Sequence, residues 1–325
     1  MKSLEYTVNL LPNLVQHTLA GMKIGRYHEI LNPKYEDEYE DWIRRDLKVL
    51  PDLGKIEGVS STTWFALLYQ IPVYLASDDL ASLLDIYDML TVNPTYEVIR
   101  LFLDKQIIIE KFIPESKFHT YLGYSGKPPS PWPEVIQQFS DAVTYTYDSV
   151  YRKRWQKISP ELEKKAELLS TKYAKRIDWI GWWEERTNIK FPYDTFQIEL
   201  IDSVRTMGTS LLADRDGFYA RTSAEKISNN VSHEIGTHIM YNTHAILSDE
   251  VGSLIEEDME RYLRTVEVLS WALNRELHQN NNLEWTMDNA FQWIEVRDEV
   301  AAVADEFRKG SFLNALAKGY SVMEV

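Results

Sequence analysis

A change of hydrophobic period part-way along the chain narrows the fold more than any other feature. Over residues 36–50 and 77–112 apolar side chains recur every three or four positions, as at Leu80, Leu83, Leu84, Ile86 and Leu90. That spacing lines one face of an α-helix. Residues 134–187 also read as helix, and 64–76 read as a buried core helix or helix pair. Phe196, Ile198 and Leu200 then alternate with Gln197 and Glu199, the two-residue period of a half-buried strand. Residues 210–213 and 218–221 are two further short strands, separated by the turn-forming Asp214-Arg215-Asp216-Gly217. From about residue 249 helices return. The chain is read as α+β and mainly helical, with a small mixed sheet. Residues 123–133 hold four prolines, which remove backbone donors and fix φ, so regular structure is excluded there. A boundary at that point gives a helical N-terminal region, 1–130, and a second region, 131–325.

Composition removes several classes of function. A formal net charge of -15 repels phosphate backbones and anionic bilayers, so neither nucleic acid nor membrane is an expected partner. The N-terminal residues lack the apolar run of a secretory signal, and no stretch approaches the ~20 apolar residues of a membrane span. A cytoplasmic protein is the expectation. The chain has no cysteine, so a metal would be held by histidine and carboxylate. Residues 151–176 hold nine Lys or Arg against three Glu, a run read as a solvated helical face.

Three of the seven histidines fall at His233, His238 and His244. A Thr222/Glu225 capping box predicts a helix opening at Ser223, with Ile227, Val231 and Ile235 turned inward. Glu234 lies between the first two histidines, the arrangement in which a glutamate serves as general base beside a metal-bound water. In H-E-x-x-H the histidines are four apart. Here they are five apart, and five residues of α-helix turn by about 140°. A shared metal then requires an extra residue accommodated as a π-bulge, which Gly236 would ease.

The sequence His-Glu-Ile-Gly-Thr-His at 233–238 resembles the motif of the microtubule-associated tyrosine carboxypeptidases and their bacterial relatives, the flavohaemoglobin-expression-modulating QEGLA-motif proteins. The likeness runs from residue 223 to about 262. It implies a zincin-like catalytic region with an active-site helix, and zinc bound by His233 and His238. Glu234 would be the general base and a downstream glutamate the third ligand. Ile255-Glu256-Glu257-Asp258-Met259 carries the paired glutamates, and the resemblance assigns Glu257. Helix neighbours point instead to Glu256, because Glu260 one turn on can serve as an acceptor behind it. His244 is a third alternative, by its six-residue distance from His238. The implied activity is zinc-dependent hydrolysis of peptide or protein substrates, with carboxypeptidase action as one form. Residues 217–221 would be the edge strand that pairs with an extended peptide. Arg215 and Arg221 are candidates for a terminal carboxylate, and Tyr241, Tyr262 and Tyr320 for an oxyanion donor. A non-catalytic helical binding protein and a metal-dependent hydrolase or oxygenase acting on a non-peptide are the competing readings.

Overall fold

A computed structural model of the chain describes residues 2–24, 48–55, 66–77, 79–92, 132–202, 208–210, 214–219, 223–242, 258–285 and 312–322. It is mainly helical with one small sheet, the α+β class expected from the hydrophobic periods. The helices are α1 (Leu10–Gly21), α2 (Ile71–Leu75), α3 (Leu80–Val92), α4 (Trp132–Thr146), α5 (Arg152–Leu169), α6 (Trp179–Thr187), α7 (Ala224–Asn242), α8 (Met259–Asn280) and α9 (Phe312–Val322). Single π-helical turns lead into α2 (Ala66–Gln70), join α4 to α5 (Tyr147–Tyr151) and close α5 (Ser170–Ala174). Strands β1 (Ser3–Thr7), β2 (Thr195–Ile201), β3 (Gly208–Ser210) and β4 (Arg215–Tyr219) form a sheet of order β1-β2-β4-β3. Ser3 lies beside Thr195 and Thr7 beside Glu199, so β1 and β2 run parallel. β3 and β4 are antiparallel, with Gly208 opposite Phe218 and Ser210 opposite Asp216. No described helix is long and apolar enough to cross a membrane.

Three local expectations change. Residues 215–217, read as a turn, belong to β4, because pairing with β3 extends the strand back to Arg215. Gly217 suits that place, since a Cβ there would meet Ile201 Cγ1 at 3.1 Å and Tyr69 Oη at 3.3 Å. β4 is also not an edge. It lies between β2 and β3, so the β3 pairing occupies the side expected for a peptide. Finally, Trp132 and Pro133 open α4 instead of belonging to a proline loop. Proline is tolerated there because the first helical amides have no intrahelical partner. The expected helices over 36–47 and 93–112, and the rest of the proline run, lie outside the described residues.

The chain divides into two compact units. One comprises Met1–Glu5, Leu169–Gln197 and Ser223–Val325, the other Tyr6–Leu168 and Ile198–Thr222. In the second unit α1 and α3 pack on α4, burying Leu14, Val15, Leu83, Tyr87, Phe139 and Val143. The Tyr87 hydroxyl donates to the carbonyl of Leu68 at 2.6 Å, and its ring meets Phe139 edge-on. Arg154 and Asp202 form a buried ion pair in this unit. The Asp202 amide donates to Asn13 Oδ1 at 2.8 Å, and Asn13 Nδ2 donates to the carbonyl of Leu200 at 2.9 Å. In the first unit α8 packs along α7, with α6 and α9 flanking the pair.

His17 lies in the core of the second unit against the ring of Tyr151. Burial, and then the nearby Arg154 charge, hold its pKa well below the usual histidine value. The unfolded chain therefore takes up the proton first as pH falls. Its contribution to stability is complete above about pH 6.5 and declines below it, by at most ~1.4 kcal/mol per pH unit. Denaturant titrations at a series of pH values should show this decline, and His17→Phe should flatten it. An unchanged slope in that variant would count against a neutral, buried His17.

Candidate metal centre

α7 begins where the sequence places it. The Ser223 hydroxyl accepts from the Lys226 amide at 3.3 Å, so the cap is Ser223, while Thr222 lies outside the described residues. Ile227, Val231 and Ile235 are buried as expected. The expected π-bulge is absent, since α7 is α-helical from Ala224 to Asn242. Gly236 has a different reason. A Cβ at this position would stand 2.4 Å from Cη2 of Trp183 on α6, and glycine lets that fully buried indole lie flush on the helix. The Trp183 Nε1–H donates to Ser232 Oγ at 3.4 Å on the same face.

With the helix unbroken, the five-residue step sends His233 and His238 to different sides. His233 turns to α8. The Ser270 hydroxyl donates to the His233 carbonyl at 2.9 Å, and its oxygen lies 2.9 Å from Nδ1. Nε2 is 3.1 Å from a Glu267 carboxylate oxygen, and the imidazole stacks on Trp271 with centroids 4.1 Å apart. Serine, histidine and glutamate in this order resemble a hydrolytic triad. Ser270 is wholly buried, however, and its proton is engaged by the α7 carbonyl. The contact ties two helices together.

Glu234 and His238, four residues apart, share the other side of α7. There the structure brings them together with Asp216 of β4: one ligand atom from each lies within 4.8 Å of the other two. One imidazole and two carboxylates are a suitable oxygen and nitrogen set for a divalent cation. Asp216 and His238 are buried and Glu234 is half-buried. Thr237 Oγ1 lies 3.3 Å from Glu234 Oε2 and 2.9 Å from the Glu234 carbonyl, which steers the carboxylate. The Phe196 ring meets the His238 imidazole edge-on at 5.1 Å and fixes its plane.

Of the expected site residues, Glu234 and His238 fall in this group and His233 lies outside it. Glu257, Glu256 and His244 lie outside the described residues, as do Arg221 and the side chains of Tyr241 and Tyr262. Tyr320 is buried beneath the guanidinium of Arg261. Arg215 lies over the Tyr74 ring. Asp216 was missed because its neighbours read as a turn. Its position in the strand just before the motif helix was the available signal. Compared with protein-family models, curated proteins and solved structures, the chain matches none.

Proposed function

We propose that the chain is a metal-dependent hydrolase, with zinc as the cation and peptides as the substrate class. The convergence of Asp216, Glu234 and His238 carries this reading, and the likeness of residues 233–238 to zinc carboxypeptidases supports the peptide specificity. Asp216 and His238 would hold the ion, with the third protein ligand that a catalytic zinc site needs supplied from outside the described residues, Glu257 by the sequence likeness. A bound zinc ion supplies Lewis acidity to a carbonyl and acidifies water. Glu234, oriented by Thr237, would take the proton from the attacking water and pass it to the leaving amine. The carboxylate-rich set also suits harder ions such as manganese, and a metal-dependent hydrolase acting on a non-peptide is the second reading. His233 stays as a rival ligand.

The full chain purified without added metal should contain about one equivalent of zinc by mass spectrometry. His238→Ala and Asp216→Ala should lose it, while His233→Ala should keep it and lose stability instead. Glu234→Gln should cut hydrolysis of a peptide library about a hundredfold or more. Metal retained in His238→Ala but lost in His233→Ala would return the site to the two-histidine arrangement. Full peptidase activity in Glu234→Gln would end the general-base assignment.

A further inference from the structure

The first unit holds a cleft beside the opening turns of α7. Its volume is about 430 Å³, and it is lined by residues of the π-turn Ser170–Ala174, the opening turns of α7 and the C-terminal end of α8. Its size suits a small ligand. π-turns concentrate at functional sites, and this one contributes Lys172. Ser228, on the cleft wall, lies about 9 Å along the helix axis from Glu234 and about 15 Å from His238, so the cleft is separate from the metal group.

Two lining side chains are buried with an unmade hydrogen bond: Ser228 through Oγ and His278 through Nε2. The His278 Nδ1–H donates to the carbonyl of Asn274 at 2.8 Å. That fixes the tautomer, so Nε2 presents a lone pair and needs a donor. Trp179 packs on the ring, and burial lowers its pKa, keeping it neutral. Leaving a buried polar group unsatisfied is costly, and a ligand would remove that cost.

The charges at the cleft complete the pattern. Lys172 is committed to Glu225 at 2.6 Å, a contact that pushes the lysine pKa up to about 12 and lowers that of the glutamate. Arg176 and Glu284 line the same cleft with opposite charge, and neither forms an ion pair with a described residue. The cleft thus offers a cation, an anion, a hydroxyl and a lone-pair acceptor.

We propose that this cleft binds a free L-α-amino acid as its zwitterion. The carboxylate is recognised by Arg176 and the Ser228 hydroxyl, and the ammonium by His278 Nε2 and Glu284. A lone anion would leave Nε2 without a donor, and a lone cation would meet the like charge of Arg176. The inference does not depend on the metal group.

The test is a titration of the full chain, labelled with ¹⁵N-histidine, with each standard L-amino acid. The His278 Nε2 resonance is identified by its loss in His278→Phe. At least one amino acid should shift that resonance saturably at millimolar concentration. Its amide and its deaminated acid, each lacking one charge, should bind about tenfold more weakly or worse. Arg176→Gln, at an exposed position that leaves the fold intact, should weaken binding by about the same factor, and Ser228→Ala should weaken it too. No shift with any amino acid would overturn the proposal. So would equal binding of the amide or the deaminated acid, or unchanged affinity in Arg176→Gln.

Discussion

Asp202→Ala should lower the free energy of unfolding by about 3–5 kcal/mol in denaturant titrations. The Arg154 and Asp202 side chains are 6% and 7% exposed. Arginine cannot shed its proton at any ordinary pH, so losing the carboxylate strands a full charge in the core. The cost arises from that stranded charge more than from the attraction removed. The double replacement Arg154→Met with Asp202→Leu should therefore recover most of the loss, because well-packed apolar residues often match or exceed a buried ion pair. The Asp202 amide keeps its bond to Asn13 in either variant, so the backbone there stays anchored. A loss under ~1 kcal/mol for the single variant would mean that water reaches Arg154 and the pair behaves as a surface contact.

Gly236→Val should be destabilising by about 3 kcal/mol, the upper end for over-packing. Helix propensity alone predicts a gain on removing glycine. Packing decides the sign. The nearest atoms to a new Cβ, at 2.4, 2.6 and 2.7 Å, all belong to the ring of Trp183. That indole is fully buried and cannot swing away as a flexible chain end would. Trp183→Leu, which makes room, should offset part of the Gly236→Val loss, giving a coupling well above additivity error in a double-mutant cycle. Strict additivity would show that the glycine serves the helix backbone and not the indole.

The helices were legible because their signal is local. The spacing over residues 80–90 and 134–187 reflects burial of one face, and α3 to α6 follow it. The start of α7 next to Ser223 and Ile227, Val231 and Ile235 as core positions were readable for the same reason. The features that escaped depend on partners distant in sequence. Asp216 belongs to a strand only because Ser210 pairs opposite it. Gly236 answers to Trp183, fifty-three residues earlier in the numbering, and His233 to Ser270 and Glu267 on the next long helix. The divergence of His233 and His238 was itself computable from their spacing. What spacing could not decide was whether the helix would bend to reunite them or settle each in separate surroundings. Stacking on Trp271 and the bond to Ser270 supply the second outcome with contacts of its own.

The phase of α7 has an evolutionary consequence. His233 and His238 serve opposite duties only while four residues stand between them, so the quantity that descent must preserve there is a count. Substitutions at Ile235 or Thr237 leave that count intact, whereas one inserted or deleted residue would turn everything downstream by about 100° around the helix axis. Related chains should accordingly vary in the letters of this segment far more readily than in its length.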